Sequence, residues 1–209
     1  KTVDGKPMLK FLIDRLRTIK SIDEIIIATT INKEDDPIVK FSENEKVSYF
    51  RGSELNVLER VYFAAKKFKV DQIIKITSDC PIIDPSIVEH CMRVYDNNDI
   101  DFLSNAHIRS YPDGMDVVIF NFPSLEKSYQ MANDSKELEH VSLFMRRNPQ
   151  IFRSIYLVAP PELHWPELGL TLDEKDDFNL ISNIISTLGS NSIFSCGEVI
   201  QLLRKKPEL

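Results

Sequence analysis

Two carboxylates, Asp79 and Asp173, stand where they could hold a divalent cation against phosphate oxygens. The run Val70-Asp71-Gln72-Ile73-Ile74-Lys75-Ile76-Thr77-Ser78-Asp79-Cys80-Pro81 reads as a buried strand ending in a polar turn with one acid at its tip. Far downstream, Leu170-Thr171-Leu172-Asp173 repeats the arrangement, an apolar run ending in Asp. Open α/β sheets bind ligands in the crevice outside the carboxyl ends of their strands. Mg2+ takes hard oxygen ligands, and one or two carboxylates suffice when phosphates and waters complete its shell. The pair therefore suggests a metal-assisted phosphate site. Either Asp alone equally suits a turn or a helix N-cap.

The elements that must position these acids follow from hydrophobic spacing. Pro7 suits a first helical position, and Met8, Phe11, Leu12, Leu16 and Ile19 recur at helical spacing. Residues 23–30 read as a buried parallel strand, because the β-branched run is continuous. A helix over 35–43, a short strand over 47–51, a helix over 54–68, the strand through Ile76 and a helix over 85–95 come next. Such alternation indicates βαβ units around a parallel sheet. After Asn97 the rhythm changes. Strands at 100–105 and 115–120 flank the turn-rich Arg109-Ser110-Tyr111-Pro112-Asp113-Gly114. Helices over 124–132 and 136–147, a strand over 152–158, a break at Pro160-Pro161 and helices over 175–188 and 197–205 complete the chain. The expected fold class is α/β, a three-layer αβα single domain with core 1–98 and 166–209 and an inserted or rim segment 99–165.

The 209 residues are 43% hydrophobic, enough for a substantial core. A net charge of −6 argues against a nonspecific nucleic-acid binder, and the tight basic clusters Arg146-Arg147 and Arg204-Lys205-Lys206 fit helix ends. No apolar run approaches the roughly 18 residues needed to span a membrane. Cys80, Cys91 and Cys196 form neither a disulfide framework nor a CxxC site, so a reducing, cytoplasmic setting is expected. Cys80 has no His near it in sequence to activate it as a nucleophile. The chain begins Lys1-Thr2-Val3-Asp4-Gly5 without Met, and the natural N-terminus is expected upstream.

An ordered set of motifs carries a family resemblance: Gly5-Lys6-Pro7-Met8-Leu9, Ile26-Ile27-Ala28-Thr29-Thr30, Phe50-Arg51-Gly52-Ser53, Ile76-Thr77-Ser78-Asp79-Cys80-Pro81-Ile82-Ile83-Asp84-Pro85, Tyr111-Pro112-Asp113-Gly114-Met115-Asp116-Val117, Glu139-His140-Val141 and Leu172-Asp173-Glu174-Lys175-Asp176-Asp177-Phe178. Together they resemble the cytidylyltransferases of the spore-coat polysaccharide type, relatives of acylneuraminate and 3-deoxy-manno-octulosonate cytidylyltransferases. The resemblance implies a mostly parallel, Rossmann-like nucleotidyltransferase sheet (GT-A-like). It also implies transfer of a cytidylyl group from CTP to a sugar, which could be a nonulosonic acid, with release of pyrophosphate. Two departures stand out. The family's first strand and its Gly-, Ser-, Arg- and Lys-rich triphosphate loop would lie before Lys1. Gly169 stands where similar sequences often carry Arg.

By the same resemblance, Asp79 and Asp173 are the catalytic acids and the Mg2+ ligands. Ala28, Thr29, Thr30, Arg51, Ser53, Thr77 and Ser78 face the nucleotide. Arg109, Tyr111, Asp113, Gly114, Asp116 and His140 face the acceptor sugar, and a homodimer uses segment 99–165. Simpler readings compete: strand-end packing for the threonines, a salt bridge to Glu54 or Glu59 for Arg51, helix capping for Ser53, a plain Pro-Asp-Gly turn for the 111–116 loop, and a core or boundary position for His140. Two other functions fit the same chain. One is a metal-dependent glycosyltransferase, although Ser78-Asp79-Cys80-Pro81 lacks a compact Asp-x-Asp. The other is a noncatalytic nucleotide-binding domain.

Overall fold

The computed structural model describes residues 1–208. The chain opens with a small hairpin, β1 (Thr2–Val3) and β2 (Lys6–Pro7), turning at Asp4-Gly5 with both residues at positive φ. An Asp-Gly pair is the favoured chemistry for such a turn. Pro7 then serves as N-cap of α1 (Met8–Leu16), one residue earlier than the first helical position expected for it. β3 (Ile26–Thr30) and β4 (Ser48–Gly52) pair in parallel, connected by a short 3-10 turn and α2 (Asp36–Glu45). α3 (Val57–Phe68) leads to β5 (Gln72–Lys75), and α4 (Pro85–Asp96) leads to β6 (Phe102–Ser104). β7 (Val118–Asn121) follows, then α5 (Phe122–Met131), α6 (Ser135–Glu139), α7 (Leu143–Arg147), β8 (Ser154–Tyr156), α8 (Lys175–Leu188) and α9 (Cys196–Lys205).

The larger sheet has the order β5-β7-β6-β8. β7 is antiparallel to both β5 and β6, and β8 is parallel to β6, so β5, β6 and β8 share one direction and β7 alone is reversed. Segment 99–165 thus contributes β6, β7 and β8 to the sheet itself as well as to its rim. β3 pairs only with β4, and β5 only with β7, so each keeps one edge without a ladder partner among the described residues. This explains a departure from the sequence. β3 is half-buried through most of its length instead of fully covered, whereas β6 and β7 are buried as a central strand should be.

Two apolar clusters hold the layers together. One joins α1, α4, α8 and α9 through residues such as Phe11, Leu12, Val88, Ile184 and Val199. The other lies on the opposite face, with Leu58, Phe102, Phe120, Leu125 and Met145. Alternation along β7 explains the division, since Val117 and Ile119 enter the first cluster while Val118 and Phe120 enter the second. Arg15 is only 2% exposed. Its Nη1 donates to the carbonyls of Ile83 (3.3 Å) and Phe194 (2.8 Å), and its guanidinium lies 4.0 Å from the Phe194 ring centre. Burial lowers its pKa to about 10, against the opposing field of Asp84. Asp84 in turn caps α4 through Ser86 and accepts from the Cys196 amide at the start of α9.

Candidate active site

The carboxyl ends of β3, β4 and β5 carry most of the residues that the sequence marks out. Asp79 lies just past β5, partly buried, and its main-chain oxygen accepts a 2.8 Å hydrogen bond from the amide of Leu172. Asp173 is the next residue, so the two acid-bearing tips are brought together by backbone pairing. The Asp173 amide donates to Asp177 Oδ2 (3.0 Å), as does that of Glu174 (2.7 Å), which sets Asp173 exposed in front of the α8 N-terminus. Thr77 and Ser78 are exposed beside Asp79, and the Thr77 hydroxyl lies 3.2 Å from Cys80 Sγ. Cys80 itself is buried, and burial pushes its thiol up to about 12. It is no nucleophile at neutral pH.

At the end of β3 a single carboxylate gathers three donors. Asp35 Oδ2 accepts from the hydroxyls of Thr29 (2.8 Å) and Thr30 (2.6 Å) and from the Thr30 amide (3.0 Å). The Thr30 and Thr29 hydroxyls hold its pKa below the ordinary 3.8. Arg51 spends all three edges of its guanidinium on the same loop: Nε on the Thr30 carbonyl (2.8 Å), Nη2 on the Asn32 carbonyl (2.7 Å) and Nη1 on Asp36 (2.8 Å). Its acidic partner is Asp36, not the Glu54 or Glu59 that sequence proximity suggested. Ala28 lies half-buried one residue back along β3.

The turn after β4 also differs in detail from its reading. The Ser53 hydroxyl accepts from the Asn56 amide (3.0 Å), but Asn56 is the true cap, accepting from the Glu59 amide (2.9 Å). α3 therefore starts at Val57, since residues 53–56 are spent on turn and cap. Arg60 folds back over Gly52, where a Cβ would lie 2.9 Å from Arg60 Cγ. Arg60 Nη1 donates to the Ser53 carbonyl (2.6 Å), and its Nε is buried without a partner.

The 109–116 loop is a self-paired unit. Arg109 reaches Asp113 (3.1 Å) and Asp116 (3.4 Å). Gly114 has φ +95°, and a Cβ there would meet the Leu170 carbonyl group at 2.7 Å. The close approach is part of a strap, in which Asp113 N donates to the Leu168 carbonyl (2.9 Å) and Leu170 N donates to the Asp113 carbonyl (2.8 Å). Gly169 pairs with Asp113 inside this strap. Residues 168–172 thus tie the 109–116 loop to the Asp79 turn. Tyr111 does not line the loop surface. It is 4% exposed within the first apolar cluster, and burial raises its pKa to about 12. His140 is exposed, at the end of α6. The helix expected over 136–147 breaks there because His140 is extended and Val141 turns into the second cluster.

The sequence motifs mark out neither Asp35 nor Lys75. Asp35 was legible as an acid at the start of a helix. Lys75 was hidden inside an apolar strand pattern.

Among the described residues no group of three or more His, Cys, Asp or Glu side chains could enclose a metal. The donor set Asp79 and Asp173 still suits Mg2+, which uses one or two carboxylates and keeps several waters. It does not suit a closed structural zinc site.

The sequence model of the cytidylyltransferase family matches residues 1–166. The uncharacterized protein MJ1063 of Methanocaldococcus jannaschii is 33% identical over 202 residues, spanning 97% of this chain and 82% of that protein. The spore coat polysaccharide biosynthesis protein SpsF of Bacillus subtilis is 29% identical over 206 residues, spanning 96% and 85%. A cytidylyltransferase structure from Leptospira borgpetersenii superposes with TM-score 0.92 at 28% identity, covering 99% of this chain and 87% of that one. CMP:2-keto-3-deoxy-manno-octonic acid synthetase complexed with CTP superposes with TM-score 0.63 at 14% identity, covering 90% and 91%, a likeness of fold. No helix among the described residues is long and apolar enough to cross a membrane. With a Rossmann-like nucleotidyltransferase fold and a family match over most of its length, this chain belongs to the cytidylyltransferase family of nucleotidyltransferase enzymes.

Proposed function

We propose that this protein transfers a cytidylyl group from CTP to a sugar hydroxyl, giving a CMP-sugar for surface polysaccharide synthesis. The observation that carries the reading is the pairing of the Asp79 carbonyl with the Leu172 amide, which joins two acid-bearing tips at the carboxyl end of the sheet. The sugar acceptor and the polysaccharide setting draw on the SpsF relative, and the octonic acid synthetase is consistent with a sugar acid. Three free, buried cysteines accord with a reducing, cytoplasmic setting.

In this reading the sugar oxygen attacks the α-phosphorus, the new O–P bond forms, and the bridging oxygen leaves with pyrophosphate while the hydroxyl proton is released. Such transfer needs charge neutralisation and in-line positioning more than covalent help. Asp79 and Asp173 would hold Mg2+, which supplies electrophilic activation of the phosphoryl group when bound. Ala28, Thr29 and Thr30, braced by Asp35 and Arg51, shape the nucleotide side, with Ser53, Thr77 and Ser78 beside it. Arg109, Asp113, Gly114 and Asp116 form the acceptor side.

A homodimer that uses segment 99–165 is part of the same reading.

The test is pyrophosphate release by the full-length protein with Mg2+, each NTP in turn and a panel of ulosonic acids and neutral sugars. Sugar-dependent release with CTP alone is expected. Consumption of a nucleotide sugar without pyrophosphate would instead indicate a glycosyltransferase.

A further inference from the structure

Lys75 closes β5, and the register places it opposite Val118 of β7. Alternation decides its direction. Ile74 and Ile76 pack on the first apolar cluster, while Ile73 packs on the second. Lys75 therefore projects on the same face as Ile73, Val118 and Phe120, one step beyond the end of that cluster. The same alternation carries Asp116, two residues before Val118, onto this face. Asp79 follows Lys75 by one short turn.

The lysine is partly buried yet makes no hydrogen bond or ion pair with any described residue, unlike the other cation of this region, Arg109, which is paired with Asp113 and Asp116. Burial lowers its pKa, and the fields of Cys80, Asp79 and Asp116 act against that shift. Asp116 shows the reciprocal effect: burial raises its pKa, and Arg109 and Lys75 pull it back. An ammonium partly shielded from water and without a close partner is costly to hold. That cost is recovered when an anion arrives, because electrostatic attraction is stronger in a drier site.

We propose that Lys75 is a further substrate-contacting residue of this enzyme, its ammonium binding a phosphoryl oxygen of the cytidylyl group between the Asp79 tip and the Asp116 side of the acceptor loop. This rests on the cytidylyl-transfer reading. Lysine suits the task, since it acts as a compact point charge on phosphate. The location favours the nucleotide phosphate over an acceptor carboxylate, because Lys75 lies on the strand that ends at Asp79.

The test compares the full-length wild-type protein with Lys75→Met and Lys75→Arg, using calorimetric titration with CMP and with cytidine in the presence of Mg2+, alongside thermal melting. Lys75→Met is expected to weaken CMP at least about 10-fold, equivalent to roughly 1.4 kcal/mol, and to leave cytidine within about twofold. Lys75→Arg should recover most of the CMP affinity. The melting temperature of Lys75→Met should hold or rise, as expected when a functional charge is removed from a poorly solvated place. Equal effects on CMP and cytidine, or none on either, would overturn the assignment. So would an unchanged CMP affinity with a raised KM for a carboxylated acceptor, which would give the contact to the sugar. Wild-type protein that binds neither CMP nor cytidine would defeat the nucleotide reading itself, and the assignment with it.

Discussion

Asp79 and Asp173 are held together through one main-chain hydrogen bond, from the amide of Leu172 to the carbonyl of Asp79 at 2.8 Å. The bond uses backbone atoms alone, so the carboxylates can be changed without breaking it. Asp79→Asn and Asp173→Asn are each expected to cut turnover by about 100-fold or more, in line with the several kcal/mol that a metal-ion contact supplies. Melting temperatures should stay near wild type. Full activity in the double variant would remove both residues from the chemistry.

Arg51 predicts a different pattern, because its three guanidinium nitrogens all donate to the 30–36 loop. Arg51→Met should raise the KM for CTP by about 10-fold and change kcat far less. It should also lower stability by about 1–3 kcal/mol, the scale of lost charged hydrogen bonds. Lys at this position should not restore the loop, since a point charge cannot span three acceptors in a plane. Steady-state kinetics and urea unfolding check both statements.

Gly114 is constrained twice, by its φ of +95° and by the Leu170 carbonyl group 2.7 Å from where a Cβ would sit. Gly114→Ala is expected to destabilise the fold by about 1–3 kcal/mol, the range for enforced backbone strain. The acceptor KM should rise more than the nucleotide KM. Unchanged melting and kinetics would show that the strap yields freely.

All three cysteines are buried, and burial raises each thiol to about 12. A thiol reagent added to the native protein at pH 7 should react negligibly over minutes and titrate all three after unfolding. Rapid labelling of Cys80 in the native state would contradict its burial.

Asp35 gives a pH signature. The Thr30 and Thr29 hydroxyls hold its folded pKa below the ordinary 3.8. The stability it contributes is therefore present above 3.8 and is lost as pH falls through the lower folded value. Wild type and Asp35→Asn should differ in melting temperature at pH 6 and converge at strongly acid pH. A constant gap across that range would assign the difference to packing.

The sequence was most legible where local chemistry and packing agree. The span expected for α8, 175–188, is the one observed, because acids at its start and a helical apolar stripe act in the same sense. The Asp79 and Asp173 tips were equally readable, each as the end of an apolar run. Legibility failed where distant residues decide. Tyr111 sits in a loop motif, but its ring belongs to the core. Arg51 ends a strand, and its partners, Asp36 and the carbonyls of Thr30 and Asn32, belong to a loop that only the β3–β4 pairing brings to it. The Asp4-Gly5 hairpin carries a local turn signal, but its strands are two residues each, too short to show a strand pattern in the sequence. Arg15 falls outside the apolar set Met8, Phe11, Leu12, Leu16 and Ile19, and only the fold brings the carbonyls of Ile83 and Phe194 to it.

The strap at 168–172 has a consequence for how its neighbours move. The 109–116 loop and the Asp79 turn hang from this one strap by separate backbone hydrogen bonds, so a displacement of one is felt by the other. Any shift of the strap that a ligand imposes through one of them would, by reciprocity of coupling, be returned with the same magnitude through the other. The strap thereby makes two loops that are distant in sequence into one mechanical unit.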